Sequence, residues 1–398
     1  MNMSHDNRTG AYGGASTGAG GDAHRDAHGS APATGLVRKG MGAVGNPAGR
    51  YERFETLLVD DGWNGLAAEA ESRPRREITP ETPRHALMRN RSPDIPFDRS
   101  INPYRGCEHG CIYCFARPTH AYQGLSPGQD FERRITIKPG LAERLGHDLA
   151  RKNYQVKPIA IGTNTDPYQP VEKETQTTRQ ILETLNRHNH PVTLLTKSRL
   201  ILRDRDILAD MARRNLVKVS LSLTTLDHKL SATLEPRATT PTRRLDAMRV
   251  LADMGVPVGV MVAPVIPGLN DHLLEELLQA AARSGAREAG FIPLRLPGEV
   301  APLFEEWLRT HFPHRAGKVL SGVRALHGGA LNDPGFHDRF RAQGMEGALL
   351  RQRFHMAARA VGLNRQAPIR LDCSAFTPPN RAALKDAARG QYSLFDPA

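Results

Sequence analysis

The stretch Asn102-Pro103-Tyr104-Arg105-Gly106-Cys107-Glu108-His109-Gly110-Cys111-Ile112-Tyr113-Cys114 places three of the chain's four cysteines within eight residues. The spacing C-x3-C-x2-C is bracketed by Pro103, Gly106 and Gly110, the composition of a tight loop whose backbone folds round one small object. Soft thiolates suit iron-sulfur clusters, which need one protein ligand per iron. Three cysteines fit three corners of a 4Fe-4S cluster and leave the fourth iron open to bind a molecule and pass it an electron. Other readings use the same side chains differently. A zinc site would add His109 or Cys373, yet structural zinc sites more often come as two separated Cys or Cys/His pairs. A redox dithiol made of Cys111 and Cys114 has no use for Cys107, and simple burial of the thiols is the third reading. The spacing favours the cluster.

With Tyr113 just before the last cysteine, the motif resembles the signature of the radical S-adenosylmethionine (SAM) enzymes. The longer run from Asn102 to Cys114-Phe115-Ala116-Arg117-Pro118-Thr119-His120-Ala121-Tyr122 is similar to the branch related to spore photoproduct lyase, the DNA repair photolyase-like proteins. The likeness covers roughly residues 95–300. It implies a partial (β/α)6 TIM-type barrel whose first loop carries the cluster. It also implies that SAM chelates the open iron and is cleaved by one electron to methionine and a 5′-deoxyadenosyl radical, which abstracts hydrogen from a substrate. An electron donor such as flavodoxin or ferredoxin is implied as well. In this scheme the cofactor carries the difficult chemistry, while the protein positions it and keeps water and oxygen away.

Outward from the motif the chain reads as α/β. Apolar, β-branched runs at 156–163, 191–197, 217–225, 256–264 and 289–294 alternate with amphipathic stretches at 172–189, 200–215, 241–254 and 272–284. Such alternation predicts right-handed crossovers and a parallel sheet, with the site at the carboxyl ends of the strands. A short strand before Cys107 brings the count to six, which suits an incomplete barrel. The expected organisation is a disordered tail over 1–50, a lead-in over 51–96, the barrel over 97–300, a mostly helical C-terminal extension over 301–386 and a polar tail over 387–398. Residues 1–50 are read as disordered because they hold 12 of the 36 glycines and show no apolar periodicity. In the extension, 302–312 and 337–361 read as helices.

The resemblance directs attention to three strand ends. After the second strand, Thr163, Asn164 and Asp166 offer oxygen acceptors for the methionine amino group; the alternative is a capped turn before Pro167. On the fourth strand, Ser220 and Ser222 share a face and suit ribose or carboxylate, or are plain core serines. Beyond it, Arg237 can grip a carboxylate with a bidentate fork beside Glu235, or form an ordinary surface ion pair with it. Asn270 or Asp271 is expected to cap the helix after the fifth strand. Tyr113 completes the cofactor set.

The substrate is less legible. Spore photoproduct lyase quenches its product radical with a cysteine inside the barrel, but this sequence has no cysteine between Cys114 and Cys373. Cys373, from the extension, is the candidate hydrogen donor, and Tyr168 a candidate radical relay. Net charge is +12, from 54 Lys+Arg against 42 Asp+Glu, which favours a polyanionic partner. Gln391-Tyr392-Ser393-Leu394-Phe395 resembles the Gln-x-Ser/Asp-Leu-Phe peptide that docks bacterial repair proteins on the DNA sliding clamp; the alternative is that Leu394 and Phe395 staple the tail to its own domain. The longest apolar stretch, 256–267, is broken by three prolines and falls short of the ~20 residues of a membrane helix. No secretory signal is visible, so the cytoplasm is expected. Neither a phosphate-cradling P-loop nor a His-Glu-x-x-His metalloprotease motif occurs. The reading is a radical SAM enzyme acting on DNA or a nucleotide lesion. Its alternatives are radical modification of RNA or a protein, and a zinc-dependent nucleic-acid-binding module without turnover.

Overall fold

The computed structural model describes residues 38–51 and 75–382. β1 (Glu77–Pro80), β4 (Tyr104–Arg105) and β5 (Arg134–Ile137) form a small sheet in the order β1-β5-β4. The main sheet contains β2 (Met88–Arg89), β3 (Arg99–Ile101), β6 (Ile159–Ile161), β7 (Val192–Thr196), β8 (Val217–Ser222), β9 (Val258–Val265) and β10 (Glu288–Pro293). From β3 to β10 its neighbours are parallel and follow chain order, with β2 antiparallel on the β3 edge. The expected six parallel strands of an open barrel are therefore present. The small sheet and the helix Leu141–Leu149 that follows it are additions the sequence pattern did not reveal.

β8 illustrates why the strands curl with helices outside. Val217, Val219 and Leu221 are fully buried in the layer shared with the helices, while Lys218, Ser220 and Ser222 alternate onto the inner face. The helix Thr177–Arg187 answers with Thr177, Thr178, Ile181, Leu182 and Leu185, spacings that fall on one helical face. The stretch expected as one helix over 172–189 breaks at Gln176, whose φ is 50°. There the buried Glu172 carboxylate accepts the Thr178 N–H at 2.9 Å and so opens the second helix.

The C-terminal extension is helical at Val300–His311, Ala316–Leu326 and Gly344–Ala360. The middle helix was not foreseen, and the last begins later than expected because 337–343 forms turns up to Gly344 at φ 68°. The first two helices share a core with the cysteine loop, through Cys111, Ile112, Tyr113, Phe304 and Trp307. Asn270 does not cap a helix: its buried amide donates to Thr224 O (2.8 Å) and Pro264 O (3.0 Å), clasping the exits of β8 and β9. Among the described residues no helix is long and apolar enough to cross a membrane.

Disorder through residue 50 is corrected over part of its range. Residues 38–51 form a strap across the cysteine loop, with Met41, Ala43 and Val44 buried. The strap succeeds without an apolar pattern because side chains elsewhere accept and donate to its backbone, as described next. Residues 1–37 lie outside the described residues.

Candidate active site

The cysteine loop runs from β4 into the turn Arg117–Gln123 and is immobilised by buried polar groups. Arg117 is 0% exposed and donates to Cys111 O (3.0 Å), Gly110 O (3.2 Å), Pro127 O (3.0 Å), Gly128 O (2.9 Å) and Glu132 Oε1 (2.5 Å). Glu132, also 0% exposed, further accepts the N–H groups of Gly42 (2.9 Å) and Ala43 (2.8 Å). One buried ion pair thus ties loop to strap. Glycine is required on both sides of that contact: a Cβ on Gly42 would stand 1.8 Å from Gly110 O, and Gly110 itself has φ 69° with a would-be Cβ 2.6 Å from Glu132 Oε2. Further anchors are Cys107 N–H to Phe131 O (2.8 Å), Ile112 N–H to Leu234 O (3.1 Å), and Glu108, which receives Val171 N–H at 2.6 Å.

Three thiols held this way suit an iron-sulfur cluster. Burial pushes all three up, Cys111 to about 12 and Cys107 well above its ordinary value, and Cys107 and Cys111 are raised further by neighbouring thiols. Such groups become thiolates when a metal supplies the compensating charge.

Beside the loop lies a second buried constellation. Glu235 receives Tyr113 Oη–H and Thr224 Oγ1–H (2.7 Å) on one oxygen and Arg244 on the other. Burial alone would raise its pKa, but Arg244 and Lys197 hold it down at about 2. The Lys197 ammonium sits 5.7 Å from the centre of the Tyr113 ring, with neither a hydrogen bond nor an ion pair to its Nζ among the described residues. Burial opposes its charge, yet Cys111 and Glu235 keep its pKa above the ordinary lysine value. Among the described residues this cation, at the carboxyl end of β7, keeps its hydrogen-bond donors free for an anionic group.

The residues singled out in the sequence divide accordingly. Thr163 and Asn164 stand half-buried at the end of β6; Thr163 Oγ1 and Asn164 N–H donate to Asn102 Oδ1 at 3.3 and 3.2 Å, and the Asn164 side chain makes no hydrogen bond among the described residues. Asp166 is committed to the walls: it accepts from Thr196 Oγ1 (2.6 Å), Lys197 N–H (2.7 Å) and Tyr168 N–H (2.9 Å) and lies 3.3 Å from His109. His109 and these donors outweigh burial and set its pKa at about 2. Ser220 and Ser222 face the barrel interior. The Glu235–Arg237 pair does not form; both Glu235 oxygens are taken, and Arg237 instead donates to Glu132 O at 2.8 Å.

Tyr168 and Cys373 are not brought to the loop. The Tyr168 hydroxyl is buried on the side of Asp204 and Glu172. Cys373 lies at the opposite, amino end of the barrel, in a segment held by Asp372 N–H to Asn215 O (2.9 Å) and Thr377 N–H to His188 O (3.0 Å). Sequence reasoning missed Arg117, Glu132, Lys197 and Arg244. Only Lys197 carried a signal, a charge directly after an apolar strand.

A family model described as the radical SAM superfamily matches residues 101–281. An uncharacterized protein of Mycobacterium tuberculosis is 37% identical over 235 residues, covering 58% of this chain and 68% of the relative. An uncharacterized protein of Methanocaldococcus jannaschii is 28% identical over 171 residues, 43% of this chain and 61% of the relative. Spore photoproduct lyase complexed with dinucleoside spore photoproduct matches with a TM-score of 0.52 at 14% identity, covering 72% of this chain and 80% of that one. A mutant of it with bound AdoMet and the dinucleoside gives 0.53 at 15%, with the same coverage. At such identities the likeness concerns the fold, and the barrel is common to both. The motif, the fold and these matches agree: the chain belongs to the radical SAM superfamily and is a radical SAM enzyme, of a family that uses a 4Fe-4S cluster and SAM.

Proposed function

We propose that Cys107, Cys111 and Cys114 each ligate one iron, that SAM lies between their loop and the carboxyl ends of β6 to β9, and that the substrate is nucleic acid, damaged DNA first. The observation that carries this is the juxtaposition of the thiol loop, with Cys107 and Cys111 buried and Cys114 half-buried, and the Lys197 ammonium, which makes no hydrogen bond or ion pair among the described residues. When bound, cluster and SAM supply a one-electron cleavage that yields a hydrogen-abstracting radical. Lys197 takes the methionine carboxylate, a charge-assisted contact formed where no protein group competes. Asn164 and Thr163 offer acceptors to the amino group, and Ser220 and Ser222 offer hydroxyls to the same ligand from the barrel interior. Glu235 and Arg244 are positioning residues that lock the Tyr113 ring under Lys197. Strap residues 41–44 and the helix Val300–His311 close the outer side of the loop and keep water from it.

DNA is favoured by the net charge of +12 and by the tail Gln391–Phe395, which we propose docks on the sliding clamp; that segment lies outside the described residues. A flavodoxin or ferredoxin would deliver the electron in the cytoplasm. A lyase-type repair reaction is the leading activity, and labelled substrates decide it. Anaerobic reconstitution should give a brown protein with about four irons and four sulfides per chain, and a triple Cys107→Ala, Cys111→Ala, Cys114→Ala variant should remain colourless. With the reduced protein and SAM, deuterium from ultraviolet-damaged DNA should appear in 5′-deoxyadenosine. Label arriving only from RNA or a protein overturns the DNA reading. Deletion of 391–395 should abolish binding to purified clamp.

A further inference from the structure

We propose that Arg295 and the rings around it form the site that receives a nucleotide of the substrate strand, the guanidinium taking a backbone phosphate and the exposed rings a base. This rests on the nucleic-acid reading above. Arg295 follows β10, at the carboxyl end of the barrel. Its guanidinium carbon lies 5.1 Å from the centre of the Phe115 ring and 4.8 Å from that of Phe340, and Phe115 directly follows Cys114. The row continues through Arg339, 4.9 Å from Phe340 and 5.1 Å from Phe336. Phe115 is 46% exposed and Phe336 55%.

The two arginines differ in one respect. Arg339 is neutralised by Asp94 through two 2.7 Å hydrogen bonds, and the same carboxylate also accepts His337 N–H at 3.2 Å. Arg295 forms no ion pair and no hydrogen bond among the described residues. Its neighbour Asp94 is already committed, so among the described residues the Arg295 guanidinium has two rings about 5 Å away and its donors unfilled. That geometry matches a phosphodiester, whose oxygens lie in the plane of the fork. Flat ring faces beside it match a nucleobase, since stacking on aromatic and guanidinium planes is how unpaired bases are held. A peptide carboxylate would fill the fork but leave the rings uncovered. Reaching a site beside the cluster loop also requires an unpaired or extruded nucleotide rather than an intact duplex.

The test is fluorescence anisotropy of the reconstituted full-length protein with a labelled single-stranded oligothymidylate, its RNA counterpart and polyglutamate, across a salt series. Arg295→Ala should weaken DNA binding about tenfold and reduce the slope of log K against log salt by about 0.7, the loss of one single-strand phosphate contact. Arg295→Lys should keep that slope while losing affinity, and Phe336→Ala should lose several-fold in affinity with the slope unchanged. Circular dichroism and iron content identify a variant that fails to fold. Parallel losses on RNA would support the site and reassign its strand. Unchanged affinity and slope in Arg295→Ala and Arg295→Lys, with the wild type still binding DNA, would overturn this site and leave the nucleic-acid reading standing. Wild-type binding to polyglutamate alone would overturn both.

Discussion

The two mouths of the barrel are closed by different means. At the carboxyl mouth, the cysteine loop and the strap meet over the Arg117–Glu132 pair, fully buried and saturated with hydrogen bonds. At the amino mouth, the irregular segment 364–377 crosses the strand starts on a few backbone hydrogen bonds, with the partly buried Lys218–Glu288 pair (2.8 Å) inside. A charge taken fully out of water is tolerated only with excellent geometry, so the first closure specifies one arrangement and the second merely covers apolar ends. The proposed chemistry sits where the demanding arrangement is.

The largest effect that would break this contrast is at Glu132. Glu132→Ala leaves the Arg117 cation buried without its counter-charge, and should cost about 3–5 kcal/mol in urea unfolding of the apoprotein. A cost under about 1 kcal/mol would mean that water enters and the closure is loose. Next comes Lys197→Met. Because the Lys197 ammonium makes no hydrogen bond or ion pair among the described residues, this variant should keep its unfolding midpoint to within a few degrees while SAM affinity, read by equilibrium dialysis, falls about tenfold or more.

Acid should reach both mouths. His190, at the amino mouth, bonds Tyr154 Oη at 2.7 Å and packs edge-on to Phe376; His120, at the other, packs edge-on to Phe131. Burial pulls each pKa down to about 4. The unfolded chain takes these protons near pH 6.5 and the folded one only near 4, so stability should fall as pH drops through that window and level off below it. His190→Phe should make the pH dependence of unfolding shallower by one proton; an unchanged slope would place His190 in water. The smallest effect belongs to Cys373→Ser, which should shift stability by under about 1 kcal/mol and leave iron content unchanged. A large loss of SAM turnover in that variant would bring the amino mouth into the reaction.

What the sequence disclosed and withheld follows from the range of the interactions. The cysteine loop and the six strands are local patterns, a spacing and a period of two, and both appear as expected. Ion-pair choices are not local. Glu235 stands two residues from Arg237, yet it bonds Arg244 because the turn of the helix Pro241–Asp253 brings that side chain under Tyr113. The strap was invisible for a related reason: its order derives from Glu132 and from the Gln129 amide, which donates to Val44 O at 2.8 Å, while its own composition is that of an unfolded tail. Cys373 shows the converse case, a residue of the right chemistry delivered to the wrong end of the barrel.

The strap also sets an order of events during synthesis. Its Gly42 and Ala43 donors meet Glu132 across separations of 90 and 89 residues. They leave the ribosome well before their acceptor exists, and closing so long a loop is a late, entropically costly step. Until it happens, the cysteines of the nascent chain stay accessible from the side the strap will cover, which leaves an interval for iron and sulfide to enter before the lid is laid down.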